Sequence, residues 1–286
     1  MLHSIFAFAR HLRRRWAYSV VSLVVAMGII VGSASPSPAL PSWLELLIRG
    51  VQVIQLSTIS DRQEVSLGEQ INAQLVRQEF TLYNNSQVER YVNQVGQRLV
   101  PASTRPDIPY TFQVVQDDQI NAFATMGGYV YVTTGLLQAA DNEAQMASVL
   151  AHEIGHIASR HAIEQMREQA IARGLMSAAG VDESVAVNIG VELAVNRRNS
   201  RADEREADQL GLNTLRSAGY APSAMVAFME KLLSQGSPPT FLSTHPSVSS
   251  RIEDLQAAID PATANVGDGL DEAAYRSNLQ GLPSNA

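Results

Sequence analysis

The stretch His152-Glu153-Ile154-Gly155-His156 predicts more about this chain than any other. Asp141 is placed to cap a helix through it, and apolar residues recur at helical spacing, at Met146, Leu150, Ile154 and Ile157. Residues four apart share a helix face, so His152 and His156 can bind one metal ion. Glu153, one step round the helix, can reach a metal-bound water. The spacing therefore predicts a catalytic zinc site.

A site with two histidines needs a third protein ligand. The extended pattern HExxHxxGxxH requires glycine at position 159 and histidine at position 162, where this chain has Ser159 and Ala162. His161 comes one position too early, and a continuing helix would turn it away from the metal. We expect His161 at the surface or in the shell around the ligands. A carboxylate from elsewhere in the chain must complete the site.

The best candidate for that carboxylate lies in a second predicted helix, which follows Ser200 and continues to Leu212. Glu204 and Asp208 share one face of this helix. In that arrangement Glu204 is the third ligand, and Asp208 accepts the free ring N–H of a ligating histidine. The alternative is a solvated face, since charged residues crowded into one helical turn usually form exposed pairs that contribute only about 0.3–0.5 kcal/mol.

In combination these motifs resemble the M48 family of zinc metallopeptidases, in which HExxH pairs with a later ExxxD, here Glu204 to Asp208. Asn121-Ala122-Phe123-Ala124, followed by a run from Gly127 to Leu137, is similar to the family's hairpin and turn before the active-site helix. Ser243-Thr244-His245-Pro246, followed by Arg251-Ile252, is similar to its C-terminal signature. The resemblance covers residues 60 to 260, approximately.

The resemblance implies one Zn²⁺ per chain on His152, His156 and Glu204. It implies Glu153 as the general base and Asp208 as the support for a ligand. The implied fold is α+β and mostly helical: a gluzincin-like metallopeptidase domain with a small β-sheet or hairpin packed on the active-site helix. The implied function is a zinc-dependent endopeptidase that acts on misfolded or unassembled envelope proteins.

Two strand-like segments, Phe123-Ala124-Thr125 and Tyr129-Val130-Tyr131-Val132, flank a Gly-Gly pair suited to a tight turn. One of these strands could form an open sheet edge. An extended substrate could pair with that edge through backbone hydrogen bonds, which would hold its scissile carbonyl over the metal. A purely structural hairpin is the alternative.

His245 is the second candidate catalytic histidine. Pro246 is placed to open a helix whose apolar face carries Val248, Ile252, Leu255 and Ile259, which would leave His245 exposed before it. His245 could donate to the oxyanion of the tetrahedral intermediate, or occupy the fourth zinc position and hold the enzyme latent. An ordinary histidine of a helix-capping segment is the third alternative.

The length of 286 residues and the 45% hydrophobic content are ample for a core. No repeat of 30 to 40 residues is present, so we do not predict a helical-repeat domain. We expect an export signal or N-terminal anchor at 1–39, a linker at 40–59, the metallopeptidase domain at 60–260 and a flexible tail at 261–286.

The N-terminal segment has the pattern of a bacterial export signal. Arginines at 10 and 13–15 precede an apolar run over 17–30, and small residues suited to cleavage follow at 32–34 and 37–39. The run is shorter than the roughly 20 residues of a spanning helix, although an uncleaved anchor remains open. We therefore predict an exported protein that is periplasmic or envelope-associated, with membrane proximity through this segment.

The amino-acid composition limits the classes of binding partner that we expect. The chain has no cysteine, which excludes disulfides and a lipidated cysteine, and its net charge of −7 without a basic patch argues against nucleic acid. Unfolded or misassembled polypeptides are the expected partners, and no pattern predicts an oligomeric state. A latent holding chaperone is the alternative function, because the apolar stretch Ala170 to Val195 could receive clients, although such a stretch is usually core. A zinc hydrolase of non-peptide amides is a third hypothesis.

Overall fold

The structure is a computed structural model that describes residues 53–177, 180–196, 199–235 and 239–282. The predicted export signal and most of the predicted linker lie outside these residues. Among the described residues, no helix combines the length and the apolar character needed to cross a bilayer.

Helices make up most of the described chain, which confirms the predicted α+β, mostly helical class. Their bounds are α1 Asp61–Gln78, α2 Ser86–Leu99, α3 Thr134–Ala139, α4 Glu143–Ala158, α5 His161–Ala172, α6 Glu183–Asn196, α7 Arg201–Ser217, α8 Ser223–Leu233, α9 Thr240–Thr244, α10 Val248–Ala258 and α11 Glu272–Asn278.

A three-stranded sheet packs on the motif helix α4. It consists of β2 (Thr111–Val115), β3 (Ala122–Ala124) and β4 (Tyr129–Thr133), in the order β2-β4-β3. The β3–β4 hairpin is antiparallel, as predicted, and Gly127 and Gly128 in its turn have φ of 76° and 95°. Strand β2, which the sequence interpretation omitted, pairs parallel to β4 and places the hairpin's β3 at the outside of the sheet. Short strands β1 (Val53–Ile54) and β5 (Val181–Asp182) form a separate pair.

Helices α4 and α7 cross at backbone distance. A Cβ atom added to Gly155 on α4 would lie 2.7 Å from the carbonyl oxygen of Ala207 on α7. A Cβ added to Gly211 on α7 would lie 3.0 Å from the backbone of His152. Because both positions lack a side chain, the two helices that carry the metal motifs approach more closely than larger residues would allow.

The predicted helix ends need small corrections. Asn142, rather than Asp141, caps α4 by accepting from the N–H of Gln145. Asn85 caps α2 by accepting from the N–H groups of Gln87 and Val88, and the apolar face of this helix is buried. Ser200 caps α7 in a box with Asp203.

The C-terminal segment differs from the predicted mobile tail. Helix α11 lies within it, and its Tyr275 is 1% exposed and donates to the carbonyl of Leu137 at 2.7 Å. The predicted linker ends too late as well, because Leu56 and Ile59 belong to the core with Leu67 and Ile71 of α1. Both errors arise because a few buried apolar side chains are enough to pack a mostly polar segment against the core.

The apolar stretch from Ala170 to Val195 contains the end of α5, strand β5 and most of α6. Its inward face is core, since Ala170, Ala186 and Ile189 are buried against α1. Three of its large apolar side chains are exposed: Ile171, Leu175 and Val195.

Candidate metal centre

Three separate parts of the chain meet at one buried cluster of ligand-type side chains. His152 and His156 come from the middle of α4, Glu204 comes from the first turn of α7, and His245 follows α9. One donor atom from each lies within 4.8 Å of all the others. All four residues are at most 1% exposed. The structure thus brings together the three ligands predicted from sequence, with His245 as a fourth donor.

The donor atoms face one another at short range. Nε2 of His152 and Nε2 of His156 are 3.1 Å apart, and the Glu204 carboxylate lies 3.5 and 3.3 Å from them. Nδ1 of His245 lies 3.0 Å from Oε1 of Glu204 and 3.3 Å from Nε2 of His152. Three imidazole nitrogens and a carboxylate are a donor set typical of zinc.

The nitrogen of His152 that points away from the cluster faces a carboxylate. Its Nδ1 lies 3.0 Å from Oδ1 of Asp208, one turn after Glu204 on α7. This is the position that the sequence analysis expected for Asp208. A carboxylate at Nδ1 keeps the proton on that nitrogen and leaves the lone pair of Nε2 for a metal.

Glu153 is the unsatisfied group of the cluster. Its carboxylate is fully buried, and neither oxygen has a hydrogen-bond partner among the described residues. Nε2 of His245 lies 3.5 Å from Oε1 of Glu153. A buried carboxylate without a donor is costly, so it indicates a place for a ligand or a water.

Charge balance supports a cation at this position. Three buried carboxylates, on Glu153, Glu204 and Asp208, face a single guanidinium, that of Arg251. With neutral imidazoles the cluster carries two more negative than positive charges, which a divalent ion would balance. The donor set and the charge therefore both fit zinc.

The pKa values of His152 and Glu204 are shifted by the charged groups of the same cluster. Burial lowers the pKa of His152, but Asp208 and Glu204 outweigh burial and raise the pKa to about 9. Burial raises the pKa of the Glu204 carboxyl, but the surrounding imidazoles, His245 first, hold that pKa well below its usual range. Glu204 is therefore ionised, which is the state that metal binding would require.

Arg251 is a site residue whose role the sequence analysis missed. It is 1% exposed, and it contacts Asp208 through Nε at 2.6 Å and Nη2 at 2.7 Å. Its Nη1 lies 2.5 Å from Oε2 of Glu204 and 3.3 Å from the carbonyl of His245. Arg251 therefore fixes both acidic residues of α7. Its place in the C-terminal signature was the available signal.

Two further residues lie near the donors, and the first of them, Asn199, was not assigned to the site from sequence. The amide nitrogen of Asn199 lies 3.3 Å from Nε2 of His156 and 3.3 Å from Nδ1 of His245. His161 is 2% exposed, and its Nδ1 lies 2.8 Å from Nδ1 of His156. His161 thus belongs to the shell around the ligands, one of the two positions that we expected.

The predicted exposure of His245 is wrong. The residue is 1% exposed, because Phe241 stacks on its ring at 4.3 Å and the N–H of Phe241 bonds the carbonyl of Ile120. These contacts hold α9 and His245 against the segment that leads into β3. Helix α10 begins at Val248 after Ser247, so Pro246 is not its first residue.

Comparison of the sequence with known proteins identifies the family of this chain. Residues 86–259, more than half of the 286, match the family model described as Peptidase family M48. The chain belongs to this family. The resemblance inferred from the motifs is therefore confirmed, and so is the fold class.

Several curated relatives of this M48 chain are named as proteases. The beta-barrel assembly-enhancing protease of Escherichia coli (strain K12) is 36% identical over 218 residues, which cover 70% of this chain and 44% of the relative. The metalloprotease LoiP of the same strain is 27% identical over 222 residues, covering 74% and 86%. The mitochondrial metalloendopeptidase OMA1 of Schizosaccharomyces pombe is 32% identical over 180 residues, covering 58% and 51%. The chain thus spans less than half the length of the first relative.

Proposed function

We propose that this chain is a zinc-dependent endopeptidase that hydrolyses peptide bonds of misfolded or unassembled envelope proteins. The observation that carries the proposal is the buried donor set of His152, His156 and Glu204 beside Glu153, whose two carboxylate oxygens lack partners among the described residues. Membership of family M48 and relatives named as metalloproteases support the metalloendopeptidase activity.

The metal ligands in this proposal are His152, His156 and Glu204, with one Zn²⁺ per chain. When bound, zinc would supply a Lewis acid that polarises the scissile carbonyl and acidifies the attacking water. Asp208 keeps the ring of His152 in the tautomer that leaves Nε2 free. Arg251 holds Glu204 and Asp208 in place and offsets part of their charge.

Glu153 is the general base. It removes a proton from the attacking water and then delivers a proton to the departing amine, so no covalent intermediate with the enzyme forms. The position of its buried carboxylate beside the donor set supports this role, because a general base must lie within hydrogen-bond reach of the water that it activates. No other described carboxylate lies beside the donor set with both oxygens unpartnered.

An extended polypeptide is the substrate class that fits the sheet. Strand β3 is the outermost strand of its sheet, and the carbonyl of Ala122 lies 3.5 Å from Nε2 of His245 in the cluster. A peptide that runs beside β3 would bring its backbone to Glu153 and the ligands. Backbone pairing is tolerant of side chains, which suits unfolded clients.

Two features support the envelope as the place of action. The relatives include proteases named for beta-barrel assembly in Escherichia coli and Yersinia pestis. The N-terminal segment has the arginine-rich and apolar pattern of an export signal, with either cleavage or a single N-terminal anchor as its fate.

His245 supports a second candidate function, a zinc-containing and mostly latent holding chaperone or assembly factor. Its Nδ1 lies within 3.3 Å of Glu204, His152 and Asn199, which favours the role of a fourth ligand over that of an oxyanion donor. A site with four protein ligands leaves no open position for catalysis. Displacement of His245 by substrate would then be the activating step.

The test measures zinc content and cleavage of unfolded casein by the chain from about residue 40 onward and by its Glu153→Gln variant. We expect one zinc in both proteins and a loss of cleavage of about 10²–10⁴-fold in the variant, because only the base is removed. A His245→Ala variant in the same assays should keep its zinc, and higher cleavage than the parent would support the latent state.

The outcomes separate the candidates. Undiminished cleavage by Glu153→Gln contradicts the mechanism. Zinc without cleavage in either protein, together with protection of unfolded clients from aggregation that survives Glu153→Gln, supports the holding chaperone. Absence of zinc from the parent contradicts both functions.

A further inference from the structure

His161 occupies a position that none of the proposed catalytic steps uses. It is the first residue of α5, directly after Arg160, whose φ of 59° reverses the chain at the end of α4. This reversal returns the imidazole of His161 to the motif helix. As a result Nδ1 of His161 lies 2.8 Å from Nδ1 of His156, and the His161 side chain is 2% exposed.

Two facing imidazole nitrogens at this distance can bond only if one carries a proton and the other does not. In the proposed zinc site, Nε2 of His156 offers its lone pair to the metal, so the proton of this neutral ring is on Nδ1. Nδ1 of His156 then donates, and Nδ1 of His161 accepts. The tautomer of His161 follows: its own proton is on Nε2.

The next contact agrees with that tautomer. Nε2 of His161 lies 3.4 Å from Oε2 of Glu206, and the other oxygen of Glu206 accepts from the hydroxyl of Ser159 at 2.8 Å. A single direction of donation therefore runs from His156 through His161 to Glu206. Glu206 is exposed at its outer end, so the chain of bonds connects the buried ligand to the surface.

We propose that His161 is a positioning residue for zinc, which accepts the Nδ1 proton of His156 and thereby fixes the tautomer and ring orientation of that ligand. His161 does for His156 what Asp208 does for His152. Both ligands of the HExxH motif are then held from outside, one by a carboxylate directly and one by a carboxylate through an imidazole. This inference rests on the proposed zinc site.

The test compares zinc dissociation constants, measured by chelator competition, for the parent, His161→Leu and His161→Asn. The oxygen of asparagine takes the place of Nδ1 of histidine, so His161→Asn keeps an acceptor for His156 while His161→Leu removes it. We expect His161→Leu to weaken zinc binding by about 10–100-fold and His161→Asn by less than about 10-fold.

Tyr91→Phe is the matched control, because it removes a partly buried hydrogen bond to Glu143 at the N-terminal end of the same helix α4. The melting temperatures of the metal-free variants measure folding separately. We expect Tyr91→Phe to lower the melting temperature without weakening zinc binding.

Equal zinc affinity in His161→Leu and the parent contradicts the proposal. So does an equal loss in His161→Leu and His161→Asn, since packing rather than the acceptor would then matter. A parent that binds no zinc contradicts the proposed function itself, whereas a parent that binds zinc with an unaffected leucine variant contradicts only the role of His161.

Discussion

Two groups of charged side chains lie along helix α4, each around a buried carboxylate, and they differ in charge balance. The metal cluster is made of His152, His156, Glu204 and His245 with Glu153, Asp208 and Arg251, and with neutral imidazoles it has two excess negative charges. The turn cluster, made of Asp61, Glu64, Arg105 and Arg160, lies near the C-terminal end of α4 and has two carboxylates and two guanidinium groups.

Their hydrogen bonding differs in the same way. Glu64 accepts from Arg105 at 3.0 and 3.3 Å, contacts Arg160 at 3.0 Å and accepts from the N–H of Gly127 at 3.4 Å. Glu153 is equally buried and accepts from no described residue. A balanced, satisfied cluster indicates a structural role, here joining α1, α4 and the hairpin turn. An unbalanced, unsatisfied cluster indicates a ligand.

The largest expected effect tests the unbalanced cluster. His152→Ala removes one ligand, so zinc affinity should fall by more than the roughly 10–100-fold that is typical of losing an outer partner. Chelator competition measures this affinity, and casein cleavage should be lost with the metal. Undiminished zinc binding would show that the cluster is not the metal site. Charge imbalance would then not distinguish a ligand-binding cluster from a structural one.

The second effect tests the balanced cluster. Glu64→Gln leaves two guanidinium groups without their buried partner, which should cost about 3 kcal/mol in the free energy of unfolding, at the lower end for buried pairs because Arg160 is partly exposed. Urea unfolding measures this loss, and zinc affinity should be unchanged.

Asp61→Asn is the control for Glu64→Gln. It removes the second carboxylate of the same cluster, whose side chain is 65% exposed, so its cost should be below about 1 kcal/mol. If Glu64→Gln instead weakens zinc binding, the turn cluster is not purely structural.

The smallest effect is a pH dependence that only the metal cluster should show. In metal-free protein burial lowers the pKa of His152, but Asp208 and Glu204 outweigh burial and raise this pKa to about 9, against about 6.5 in the unfolded chain. The protonated ring therefore stabilises the fold fully below about pH 6.5, and the stabilisation is lost as pH rises through 9. Between about pH 6.5 and about pH 8 the loss is about 1.5 kcal/mol.

Urea unfolding of chelator-treated protein at several pH values measures this slope. The stabilisation by added zinc should have the opposite sign and increase with pH, because zinc displaces the proton of His152. Metal-free Glu64→Gln should keep the slope of the parent. A free energy of unfolding that does not change with pH in this range would contradict the raised pKa.

Much of the site followed from local sequence. The helical spacing around His152 and the shared face of Glu204 and Asp208 are periodic signals, and the structure has the corresponding helices α4 and α7. The hairpin followed from its Gly-Gly turn in the same way. Each of these inferences needs only residues that are neighbours along the chain.

The remaining parts depend on contacts between distant segments. The burial of His245 requires Phe241 to reach the backbone of Ile120, and the role of Arg251 requires α10 to pack beside α7. The docking of Tyr275 requires a carbonyl of α3. Local periodicity contains no information about such partners. The position of His161 could not be predicted from spacing, because that prediction assumed a helix continuing past His156. In the structure the positive φ of Arg160 interrupts this helix.

The backbone contact between α4 and α7 has a consequence for engineering and for detecting such sites. Because Gly155 and Gly211 leave no room for a Cβ, the separation of the two ligand helices is set by main-chain atoms and not by side chains that can be repacked. A graft of these ligands onto another helix pair would have to include both glycines. A motif search that required Gly211, seven residues after Glu204 on the same face, would be more selective than one using ExxxD alone.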